Sequence, residues 1–199
     1  MTFWNWRRGT SAGVASGSAA AIAYMPELAP IELYTAETRI VGWIEANGLR
    51  VTDLLNAHDE LRLWRPSPGP LDGALTEAAN GVEPDPADAA RGPGEWQTLA
   101  TDQVILAMPP EWRASRQLRL HRRLRRAALT AGPFNVTGNM HLHPGVDIGP
   151  YLLARGPRWM PMTEAYLLHT GEPPFEHVVS VVIVNTAHIT QMMPLVTLA

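Results

Sequence analysis

Apolar residues recur with a period of two over much of this chain. "IELYTAETRIVGWIEA" (residues 31–46) and "FNVTGNMHLH" (134–143) alternate apolar and polar positions and carry β-branched and aromatic residues. That pattern predicts strands with one buried face. "VVSVVIVNTAHITQMMP" (178–194) opens on a valine-rich run, which predicts a strand covered on both faces. "RVTDLLNAHDE" (50–60) and "DIGPYLLAR" (147–155) predict short helices or turns between strands, with Thr52 or Asp53 capping the first. The Pro, Gly, Asp and Ala content of residues 67–95 predicts a mobile loop, with one helical turn in "GALTEAAN".

Compared with itself, the chain repeats its landmarks. Residues 37–66 run through alternating apolar positions, Gly42, a turn, Leu54-Leu55 and then Trp64-Arg65-Pro66. Residues 133–161 run through Val136, Gly138 and Met140, a turn at Pro144-Gly145, Leu152-Leu153 and then Trp159-Met160-Pro161. The interval from glycine to the Trp-x-Pro proline is nearly the same in both. Further on, "TLATDQVILAMPP" (98–110) lies against "IVNTAHITQMMPL" (183–195), with Thr101 on Thr186, Val104 on Ile189 and Met108-Pro109 on Met193-Pro194.

These features predict a mainly β fold: two tandem small bent-sheet or barrel units arising by internal duplication, with short helices. The expected boundaries are a flexible N-terminal arm over 1–30, a first unit over 31–111 with its insert at 67–95, an arginine-rich connector over 112–128, and a second unit over 129–199. Gly42 and Gly138 are expected at sharp bends of their strands. Trp64 and Trp159 are expected to anchor packing.

The order Val-x-Gly-x-apolar, then the Asp53-Leu-Leu-Asn56 turn, then "VIVNTAHITQMMP" resembles the Sm-like small barrel, and also a family of uncharacterised bacterial proteins that carry such a unit singly or in tandem. The resemblance covers about residues 31–110 and 125–197. It implies a glycine in a bent second strand and a turn between the last two strands. Sm-like proteins place Arg or Lys before a Gly in that late turn to help hold RNA. Here the late turns read Ala100-Thr101 and Asn185-Thr186, which departs from the RNA-holding pattern.

Composition narrows the function classes. The 199 residues carry a net charge of −3, so the molecule as a whole is not an electrostatic partner for nucleic acid or an anionic membrane. No cysteine is present, which excludes disulfides, thiolate metal sites and a cysteine nucleophile. Every basic side chain other than histidine is arginine, which excludes Schiff-base chemistry and a P-loop lysine. There is no G-x-S-x-G, H-E-x-x-H, Walker loop or G-x-G-x-x-G, and no apolar run long enough for a membrane span. The two arginines and small residues after Trp6 make a feeble export signal, so a cytoplasmic location is the expectation.

Three groups remain as candidates. Trp4, Trp6, Arg7 and Arg8 in the N-terminal arm are expected to bind a partner, because exposed tryptophans dock on apolar surfaces. Seven arginines, Arg113, Arg116, Arg119, Arg122, Arg123, Arg125 and Arg126, form a run able to receive an anionic partner, or to pair with the acidic insert at Glu83, Asp85, Asp88 and Glu95. No aromatic residues interleave with them to stack bases. His141 and His143 share one strand face and are a weak metal pair at the spacing cupin-type oxygenases use. Asp147 lies beyond the Pro144-Gly145 turn, and no second motif organises His169, His177 and His188. The reading is a non-catalytic scaffold or adaptor subunit, without a cofactor, that binds another protein or its own copies. Nucleic-acid binding and a cupin-like metalloenzyme are the alternatives.

Overall fold

The computed structural model describes residues 27–66, 94–110, 123–142, 156–172 and 174–195. Ten strands form one antiparallel sheet: β1 (Leu28–Tyr34), β2 (Arg39–Glu45), β3 (Glu60–Pro66), β4 (Gly94–Ala100), β5 (Leu106–Met108), β6 (Arg123–Ala131), β7 (Phe134–Leu142), β8 (Trp159–His169), β9 (Phe175–Asn185) and β10 (Ile189–Pro194). The single helix among the described residues is α1 (Val51–Ala57). No helix among them is long and apolar enough to cross a membrane.

Alternation decides which face each strand buries. In β7 every second side chain from Phe134 to Leu142 is buried. In β9 the last five residues, Val181 to Asn185, are all buried, because alternate side chains meet different cores, Val182 and Val184 one and Val181 and Ile183 the other. β6 begins at Arg123, inside the stretch expected to be a connector. Its Ala127, Leu129 and Ala131 turn inward, while Leu124, Arg125 and Arg126 stay exposed. β1 likewise begins inside the expected arm, held by buried Leu28 and Ala29. α1 is capped differently from the sequence expectation. Arg50 occupies the N-cap without a side-chain bond, and Thr52 and Asp53 lie within the first turn.

The sheet order is β10-β6-β7-β8-β9-β5-β1-β2-β3-β4. The neighbour order β5-β1-β2-β3-β4 therefore has the same form as β10-β6-β7-β8-β9, with the last strand of each five lying beside the first. A single 3-10 turn precedes the last strand each time, at Thr101–Gln103 and at Thr186–His188. The two sets are one continuous sheet, because β5 pairs with β1 on one side and β9 on the other. Two apolar cores lie along it. One gathers Ile31, Leu33, Ile44, Leu55, Leu63 and their neighbours around α1; the other gathers Phe134, Val136, Met140, Met162, Leu167 and Val182.

Both candidate bend glycines sit under the next strand. A Cβ on Gly42 would lie 2.7 Å from Leu63 Cγ and from the Trp64 carbonyl oxygen, and one on Gly138 would lie 3.0 Å from the Thr163 carbonyl oxygen. The two backbones approach more closely than a side chain allows. The tryptophan landmarks fall differently. Trp64 lies within β3 opposite Trp43, whereas Trp159 opens β8 opposite Asn185. Pro66 closes β3 opposite Gly94, and Pro161 lies in β8 opposite Ile183.

Candidate functional site

Two of the buried polar side chains, Thr101 and Asn185, lie in one place. That place is the seam between the two strand sets. The ladder there is short: Leu106 faces Val184 and Ala107 faces Ile183. Asn185 reinforces it. Its side chain is fully buried, and its Nδ2 donates to the carbonyls of Val104 (2.9 Å) and Thr101 (3.3 Å). Its backbone N–H donates to the Ile105 carbonyl at 2.9 Å, and its Oδ1 accepts from Ala187 N–H at 3.1 Å. A buried amide with both ends occupied fixes the register where two ladder pairs alone would not.

Side chains cross the seam in both directions. Asn56, at the end of α1, brackets the backbone of Trp159: its Nδ2 donates to the Trp159 carbonyl (3.0 Å) and its Oδ1 accepts the Trp159 N–H (2.9 Å). The Trp159 ring thereby enters the first core, fully buried. In return the Tyr34 ring enters the second core, edge-on to Phe134 at 5.7 Å and tilted to Phe175 at 5.9 Å. Thr101 and Thr186 do matching work on either side. The N–H and hydroxyl of Thr101 both donate to the Asp59 carbonyl, and those of Thr186 to the Arg158 carbonyl. The Arg158–Asp59 ion pair (2.8 Å) is solvent-exposed and contributes little.

Tyr34 donates its hydroxyl to Glu32 (2.9 Å), which also receives Arg39 at 2.6 and 3.1 Å. Burial, and then the adjacent Glu32 carboxylate, push the Tyr34 phenol well above its ordinary value. Hydrogen bonding to Glu32 likewise raises the Arg39 guanidinium. On the exposed surface, the bond to Glu176 raises Tyr166. A phenol whose folded pKa exceeds its unfolded one gives stability that is fully present below about pH 10 and lost as pH rises above it, because the unfolded chain ionises first. With no lysine to titrate in that window, the denaturant midpoint of the wild type should fall above about pH 10, and Tyr34→Phe should flatten that fall. An unchanged slope in Tyr34→Phe would show that the phenol is not the titrating group.

The two ends of the sheet contrast with the seam. β4 and β10 have no ladder partner on their outer sides among the described residues. A cross-strand file of Trp43, Trp64 and Trp96 runs outward to β4, with Trp64 and Trp96 edge-on at 5.6 Å. Trp96, at the free edge, is 38% exposed, and the Arg62 guanidinium lies 4.8 Å from its ring centroid. At the other end Met193 and Leu195 are exposed, as is Leu124 on the neighbouring β6. Exposed apolar side chains thus lie at both edges, and also away from them at Leu49 and at the facing pair Tyr166 and Val178.

Trp4, Trp6, Arg7 and Arg8 lie outside the described residues, as do Arg113, Arg116, Arg119, Arg122, His143, Asp147 and the acidic insert residues Glu83, Asp85 and Asp88. Arg125 and Arg126 are exposed on β6, one strand from the β10 edge, and Arg123 pairs through its backbone with Leu142. His141 Nε2 lies 2.9 Å from Thr163 Oγ1, and His169 stacks on Phe175 at 5.0 Å. Among the described residues no group of three or more His, Asp or Glu is arranged to hold a metal ion. The seam residues Tyr34, Asn56 and Asn185 escaped sequence reasoning. Asn56 and Asn185 read as turn residues; burial sets Asn185 apart, and two bonds to the Trp159 backbone set Asn56 apart. No family model, curated protein or solved structure matches the chain.

Proposed function

We propose that the chain is a non-catalytic assembly subunit: a duplicated five-strand unit that binds protein through the edges of its sheet. The observation that carries this reading is that, among the described residues, β4 and β10 have no ladder partner on their outer sides, with Trp96 exposed at one edge and Met193 and Leu195 at the other. Long edge strands left open invite another chain to add to the sheet. Duplication is supported by the twice-repeated neighbour order, by Gly42 and Gly138 meeting the following strand alike, and by the matched roles of Thr101 and Thr186. The glycine in the second strand of each set and the turn before the last strand also fit the Sm-like resemblance.

The test is affinity capture from the source lysate with the full chain and with a chain starting at Glu27, which keeps β1 whole. A stoichiometric protein, including further copies of the chain itself, retained through a wash of about 0.5 M salt supports the reading, since apolar edge contacts survive screening. Nucleic acid that co-elutes at low salt and is lost on washing would assign the function to the arginine run instead. Loss of the partner on removing residues 1–26 would assign the contact to the tryptophans of the arm.

A further inference from the structure

The seam is an edge-to-edge contact between the last strand of one five-strand set and the fourth strand of the other. Among the described residues, the two edges without a ladder partner are the remaining last strand, β10, and the remaining fourth strand, β4. We infer that a second copy of this chain adds to the sheet head to tail, its β4 pairing antiparallel with β10 in the register the seam already uses. This rests on the duplication reading proposed above and names the partner.

The register follows from matching the two sets. Moving from Thr101 to Thr186, a shift of 85, carries one 3-10 turn onto the other and β5 onto Gln191–Met193. The same shift carries Thr98–Ala100 onto Ile183–Asn185. The seam pairs, Leu106 with Val184 and Ala107 with Ile183, become Gln191 with Leu99 and Met192 with Thr98 of the second copy. Burial agrees with an uncovered version of the same contact. Met108, beside the seam, is 8% exposed, whereas its counterpart Met193 is 52% exposed; Val181 is 4% exposed against 38% for its counterpart Trp96.

The backbone is suitably poised. Thr101 N–H donates to the Asp59 carbonyl, so along β4 the amides of Leu99 and Gln97 point toward β3 while those of Ala100, Thr98 and Trp96 point outward. β4 has seven residues, no proline and one charge, so it carries few of the devices that blunt an edge. The contact between chains is weaker than the seam. Ala100 stands where Asn185 holds two carbonyls, and Gln191 stands where Leu106 is buried. A head-to-tail contact joins different surfaces, so it yields a ring where the rotation closes and a filament where it does not.

The chain has no cysteine of its own, which makes engineered cysteines specific reporters. Asn185 N–H bonds to the Ile105 carbonyl, so the next pair, Val184 with Leu106, is non-hydrogen-bonded, and there side chains approach most closely. Its counterpart is Leu99 with Gln191. Under mild oxidation a mixture of Leu99→Cys and Gln191→Cys chains should give a disulfide-linked pair of two chains, and neither variant alone should cross-link. Native mass spectrometry of the full wild-type chain should show assemblies larger than one chain. Thr98→Pro, which removes one outward amide and leaves the β3 ladder intact, should weaken them by about tenfold or more. Circular dichroism melts of each variant confirm that it folds. Cross-linking by Leu99→Cys alone reports pairing of like edges and overturns the inference, as does an assembly indifferent to Thr98→Pro. A chain monomeric at every concentration that still captures a different protein sinks self-association and spares the subunit reading; a monomer that captures nothing sinks both.

Discussion

Replacing Trp159 by alanine will cost about 3–5 kcal/mol of unfolding free energy, the loss expected when a fully buried aromatic leaves a cavity. The thermal midpoint should fall by about 10 °C or more. The ring belongs to β8 yet packs in the core around α1, so its removal leaves a cavity there and weakens the hold between the two sets. The indole Nε1 is buried and has no hydrogen-bond partner. Trp159→Phe keeps much of the packing and removes that orphan donor, so it should cost no more than about half as much. Differential scanning calorimetry of the three chains checks this. A loss under about 1 kcal/mol in Trp159→Ala would mean that the ring does not anchor the seam.

Asn185→Asp should be nearly as costly, although it changes no volume. The amide Nδ2 that donates to Thr101 and Val104 becomes a carboxylate oxygen facing two carbonyl oxygens in a fully buried place. The expected loss at neutral pH is about 3–5 kcal/mol. Such a site favours the neutral acid, so its folded pKa lies above the unfolded value of about 4. The deficit relative to wild type should therefore shrink as pH falls toward 4 and grow as pH rises. Urea midpoints measured in parallel from pH 4 to 8 read it directly, and a deficit that does not change with pH would show that the carboxylate reaches water.

Much of the β character is legible in the sequence because one-sided burial writes itself as alternation. Phe134 to Leu142 alternates in sequence and in structure, and the unbroken apolar run Val181–Val184 marks the strand end with neighbours on both sides. The presence of α1 was legible, but its cap was not: the helix begins at Val51, which places Thr52 and Asp53 inside its first turn. The arginines of β6 hid a strand, because three exposed residues precede its inward Ala127, Leu129 and Ala131. The joining of the two sets into one sheet left no trace in composition. It is made by backbone pairing at Leu106 and Ala107, and main-chain hydrogen bonds are common to all residues. The edges were equally hidden: Trp96 and Met193 look like core residues until the sheet order places no strand beyond theirs among the described residues.

The seam also sets a timetable for synthesis. β5 completes the first set once Met108 has left the ribosome, but its other neighbour ends at Asn185. At ordinary elongation rates the interval is roughly 4–15 s, long compared with the folding of a small β unit. Throughout it the nascent first half exposes the β5 edge. On a polysome, where sister chains are close together, each half-made molecule is therefore a template for its neighbour's β9; a sister brings the same Trp159 and Asn185, so it is the covalent tether from β5 to β9 that favours the chain's own strand.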